Sequence, residues 1–90
     1  SYALAMSLIL DLLNLAEATA LKDDLSKFES LDWWNAKLQH VYLLYKWHDI
    51  DSNKDHKKLL NSLERLAPDF GESVTGPETK RIFKWLKAQG

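Results

Sequence analysis

The sequence predicts an all-α protein, a single antiparallel helical bundle of four to six helices. Three observations carry that prediction. No glycine or proline occurs before Pro68, so three-quarters of the chain lacks the punctuation that turns between strands require. Apolar residues recur at i, i+3 and i+4 from Leu4 to Leu86, the spacing of helix faces. Ninety residues, 46% hydrophobic and 28% charged, suit one globular domain over 1–90 with a modest core. Residues 1–6 are also compatible with a cloning remnant before a native start at Met6.

The first segment is apolar: in residues 2–16 only Ser7, Asp11 and Asn14 are polar. No basic stretch precedes it, against a secretory signal. Asp11 and Asn14 cut it short of the ~20 apolar residues of a membrane span. It is expected to be a buried, Leu-rich helix and no transmembrane segment. Leu4, Leu8, Leu12 and Leu15 share one face, with Ile9, Leu13 and Ala16 beside them, a stripe broad enough to sit between two partners. Lys22-Asp23-Asp24 leaves open whether residues 1–28 make one helix or two.

Ser30 is a natural N-cap, its hydroxyl able to accept an orphan backbone N–H. Beyond it Leu31, Trp34, Leu38, Val41, Tyr42 and Tyr45 form one stripe, and Leu43, Leu44 and Trp47 fill the flanks. Residues 31–48, apolar nearly all round, are predicted to be the central helix. Residues 48–55 form a polar loop, and Ser52 or Asn53 is expected to cap a helix with Leu59, Leu60, Leu63, Leu66 and Ala67 on one face. Pro68 stops that helix or starts a short turn through Phe70. Thr75 or Gly76, followed by Pro77 at the first helical position, opens the last helix, 77–88, with Ile82, Phe83 and Leu86 inward.

Catalytic and metal chemistry find little support. Asp49, Asp51, Asn53 and Asp55 alternate as an EF-hand loop begins, but Lys54 stands where the turn needs Gly and Leu60 where a bidentate Glu belongs. His40, His48 and His56 lie eight apart, which turns neighbours about 80° on a helix. They are expected to be partly exposed surface histidines. There is no cysteine, no nucleophile elbow and no Gly-rich phosphate loop. The chain is expected to be non-enzymatic, with no cofactor and no metal.

Charge says more. The total is −1, with 12 Lys and Arg against 13 Asp and Glu, which excludes a polyelectrolyte living on nucleic acid. The stretch Lys80–Lys87 nonetheless holds four cations and no acid, with Lys80, Lys84 and Lys87 on one face and Arg81 and Trp85 flanking it. The four tryptophans are many for so small a core. Trp33 and Trp34 diverge by ~100° on a helix, so at least one is expected at the rim or surface. Trp33, Trp47, Lys80, Arg81, Lys84, Trp85 and Lys87 are therefore the candidate partner-binding residues.

Residues 41–70 resemble the fourth and fifth helices of death-fold domains. The matching pieces are Tyr42-Leu43-Leu44-Tyr45-Lys46-Trp47, then Leu59-Leu60-Asn61-Ser62-Leu63, then Asp69, about a third of the chain. The resemblance implies a six-helix adaptor that assembles with like domains through charged patches. Taken together, the readings favour a protein–protein interaction domain of adaptor or effector type, with a protein partner or self-association. The alternative is a nucleic-acid or anionic-surface module using helix 77–88. A soluble, intracellular chain is favoured; the compartment is otherwise open.

Overall fold

A computed structural model describes residues 1–89 and contains five α-helices and one 3-10 turn. Helix α1 spans Tyr2–Lys22, its first turn capped by the Ser1 hydroxyl, which accepts from the Leu4 N–H. It is one helix and it ends in a Schellman turn. Asp24 takes the left-handed conformation (φ 57°), and the N–H groups of Asp24 and Leu25 return to the carbonyls of Leu21 and Ala20. Aspartate tolerates that conformation better than most residues, so the turn forms without glycine. A 3-10 turn at Lys27–Glu29 follows, closed by a capping box in which Phe28 N–H donates to Ser26 and Ser26 N–H to Glu29.

Helix α2, Leu31–Trp47, starts at Ser30, whose hydroxyl accepts from Trp33 N–H at 3.1 Å. Helix α3 covers His56–Leu66, and Asp55, rather than Ser52 or Asn53, is its cap. The Asp55 carboxylate accepts from the N–H groups of Lys57 and Lys58 at 3.0 and 3.2 Å. Ser52 and Asn53 are already committed to a turn, where Asn53 N–H donates to the Asp51 side chain. Helix α3 stops before Pro68. Phe70 and Gly71 then adopt positive φ and lead into the single-turn α4, Glu72–Thr75. Helix α5, Pro77–Ala88, opens at Gly76 with Pro77 in its first turn.

Helices α1 and α2 run antiparallel: Tyr2 stacks on Trp47 at 5.9 Å, while Thr19 and Asp32 share a groove at the far end. Helix α2 is the centre, with α1 on one side and α3, α4 and α5 on the other. The core joins Ile9, Leu13 and Ala16 of α1 to Trp33, Trp34, Val41, Leu60, Phe83 and Leu86. Trp34 is fully enclosed, its indole N–H donating to the Phe28 carbonyl at 2.8 Å. A Cβ on Gly71 would lie 2.3 Å from that indole nitrogen; this close approach and φ of 70° together require glycine.

Three expectations are corrected by the packing. Trp33 is 4% exposed and lies in the core, edge-on to Phe28 and Trp34 at 5.3 and 5.0 Å. The two residues leave the helix ~100° apart, yet their rings converge in one cluster around Phe28 of the 3-10 turn, 5.3 and 6.1 Å from it. His56 is also buried, its Nε2–H donating to the Leu86 carbonyl at 2.8 Å. Helix α1, conversely, is not enclosed. Its buried residues are Ile9, Leu13, Ala16 and Ala20. Its packing neighbours are α2 and the 3-10 turn, so the side away from them stays open in a molecule 39 × 27 × 19 Å across.

Candidate docking surface

Periodicity and packing together create the surface. Helix α1 carries apolar residues on more of its circumference than one neighbour covers. With Ile9, Leu13 and Ala16 turned inward, Leu4, Leu8, Leu12 and Leu15 project outward as a ridge, 63%, 57%, 50% and 65% exposed. Beside the ridge runs an apolar groove of about 480 Å³. Tyr2 and Ile9 of α1, Leu38, Tyr42 and Leu43 of α2, and Ile82 and Leu86 of α5 line it. A second, narrower groove of about 290 Å³ lies between Leu12, Leu15 and Thr19 of α1 and Asp32, Asn35 and Gln39 of α2. Gln39 lines both, so the two grooves adjoin on the same flank of α2. Tyr42, Ile82 and Trp85, all more than a third exposed, extend the apolar surface. Asp32 and Lys46, both exposed, line the grooves, and Asp11 lies beside the ridge in sequence.

The residues singled out from sequence fall in three different places. Trp85 is 52% exposed and meets Tyr45 edge-on at 5.8 Å, at the α5 side of the groove. Trp47 is half-buried, covered by Tyr2 on one side and by the Lys54 ammonium, 4.2 Å from its ring centre, on another. Trp33 is in the core. The cations of α5 are partly neutralised: Lys80 pairs with Glu72 at 3.1 Å, and Lys87 pairs with Glu64. Arg81 and Lys84 make no ion pair among the described residues. Leu4, Leu8, Leu12, Leu15, Tyr42 and Ile82, expected in the apolar stripes of packed helices and not as partner-binding residues, are the ones found exposed at this surface. Their signal was present as a stripe wider than one partner requires.

The opposite flank of α2 holds a different group. Lys37 lies 5.2 Å from the Trp33 ring centre and its ammonium donates to His40 Nδ1 at 3.2 Å. Burial holds His40 down at about 4, with the Lys37 charge adding to the effect. Burial likewise lowers Lys37 to about 8, helped by Lys27 and opposed by Glu17. A neutral imidazole receiving a hydrogen bond from the Lys37 ammonium agrees with the direction at His40.

No set of three His, Asp or Glu side chains converges as a metal site among the described residues. Helix α1 is long and apolar enough to cross a membrane by length and composition, with a mean hydropathy of 1.6 over its best window. The chain matches no protein-family model, no curated protein and no solved structure.

Proposed function

We propose that this chain is a non-catalytic protein–protein interaction domain whose docking surface is the α1 ridge with its adjoining groove. The observation that carries the reading is the row of four leucines, each at least half exposed, on a helix that buries only Ile9, Leu13, Ala16 and Ala20. Contiguous apolar surface of this kind is expensive to leave in water and marks interaction sites. The groove beside it supplies shape, and Gln39, Asn35 and Asp32 supply a polar rim, the usual anatomy of a protein interface.

Two other uses of the surface fit less well. A helix lying on an anionic membrane carries several cations around its apolar face, whereas residues 2–16 contain one charge, Asp11. A spanning helix disfavours Asp11 and Glu17 at exposed positions. A photo-crosslinking amino acid at Leu8, compared with one at Asn61 on the exposed side of α3, tests the reading in cells that make the protein. A discrete protein adduct at position 8, absent at position 61, is expected. Lipid adducts alone, or equal labelling at both positions, would overturn it.

A further inference from the structure

Ridge and groove lie side by side on one face of the molecule, and they are complementary to each other. The ridge is convex, built from Leu4, Leu8, Leu12 and Leu15; the groove is concave, apolar and open along its length. Ridge and groove cannot meet within one chain, because α1 carries the ridge and, through Tyr2 and Ile9, one wall of the groove. A two-fold axis lying in the plane of this face, parallel to ridge and groove and between them, resolves the mismatch. It turns a second copy so that each ridge lies in the other's groove, giving the same patch on both subunits.

We infer that the partner of this surface is a second copy of the chain, in an isologous dimer joined by two ridge-in-groove contacts. The inference rests on the docking-surface reading above and adds the identity of the occupant.

Area supports it. Leu4, Leu8, Leu12, Leu15, Tyr42, Ile82 and Trp85 leave between 38% and 65% of their surface open. At about 200 Å² for a large apolar side chain, that is roughly 700 Å². A standard interface removes about 800 Å² from each partner, so this face alone nearly suffices. Charge is permissive as well. The surface bears Asp11 beside the ridge and Asp32 and Lys46 at the grooves, an excess of one negative charge that is a weak field against a like copy, and each chain carries only −1 overall.

The test is sedimentation of the purified chain from about 5 to 200 µM, the range where a modest interface shows its equilibrium. A concentration-dependent shift to twice the 10.4 kDa chain mass is expected. The ridge variant Leu4→Glu/Leu8→Glu and the groove variant Tyr42→Glu should each weaken association by about tenfold or more. Their helical circular dichroism should remain that of the parent, because the three side chains are exposed in the single chain. Mixing the two variants restores association in part. The mixed dimer keeps one intact contact, an intact ridge in an intact groove, and neither variant alone has any.

A parent that stays monomeric at the highest concentration overturns the inference, as does a parent dimer unaffected by the variants or a mixture that does not recover. Monomeric parent bound to neutral phosphatidylcholine vesicles does the same and transfers the surface to lipid. The crosslink at Leu8 separates the two levels. An adduct with a different protein, from a monomeric chain, overturns self-association while leaving the docking surface in place.

Discussion

At His40 the surroundings dictate a pH response whose sign follows from one comparison. The imidazole has an ordinary value of 6.5 and is held at about 4 in the folded chain, first by burial and then by the Lys37 charge. Between those values the unfolded chain binds a proton that the folded chain refuses. Stability from this site is therefore complete above about pH 6.5 and is lost as the pH falls towards 4. The ring is only half-buried, so the loss is about 1–2 kcal/mol, less than the whole shift would give. Urea unfolding at pH 7 and pH 4.5 checks it. The parent should lose that amount, and His40→Gln, which still accepts the Lys37 hydrogen bond, should lose clearly less. Lys37 has the same sign at the other end of the scale. Held near 8 against an ordinary 10.5, it destabilises while charged and ceases to do so as the pH rises through that interval.

Helix α1 shows how two adjacent leucines of one element differ in consequence. Leu13 is 6% exposed against α2, and Leu12 is half exposed on the ridge. Leu13→Ala should cost about 2–5 kcal/mol through lost burial and a cavity. Leu12→Ala should stay within about 0.5 kcal/mol when both are measured in dilute protein, where self-association makes no contribution. Equal losses would mean that α1 is covered on both sides. The same helix marks the boundary of what the sequence discloses. Caps and breakers act within a few residues, so Ser30, Pro68 and Pro77 placed the ends of α2, α3 and α5 closely. Face patterns depend on residues of one helix alone, so Leu60, Leu63, Phe83 and Leu86 could be assigned inward, whereas Leu66 and Ile82, placed in the same stripes, lie at their edges and are 64% and 38% exposed. The number of neighbours around a helix is not local. That is why α1 was expected to be buried when it has an open side, and why Trp33 and Trp34 were expected to part company although both pack around Phe28. The candidate site was legible only as an excess of leucine; that the excess faces outward depends on α3, α4 and α5 all gathering on the far side of α2.

The distribution of charge over the whole molecule bears on the nucleic-acid alternative. Glu72 and Glu64 each occupy one cation of α5, leaving Arg81 and Lys84 as its cations without an ion pair among the described residues. Binding through those two would show a log–log salt slope near −2, from about two phosphate contacts. Fluorescence anisotropy with a random oligonucleotide at two salt concentrations should show no binding at micromolar protein, and Arg81→Glu/Lys84→Glu should change nothing. Micromolar binding with that slope, abolished by the charge reversal, would establish the alternative. Finally, the junction of the two layers provides its own optical signal. Trp33 and Trp34 stand perpendicular with ring centres 5.0 Å apart, and Trp34 is also 5.9 Å from Phe83 of α5. Indoles fixed so closely in a chiral arrangement couple electronically, so the near-ultraviolet dichroism of this chain reports whether the 3-10 turn and α5 are both seated on α2. Far-ultraviolet dichroism reports the helices alone. A state that keeps the second signal and loses the first would be a molten globule: helices still wound, the two indole environments dissolved.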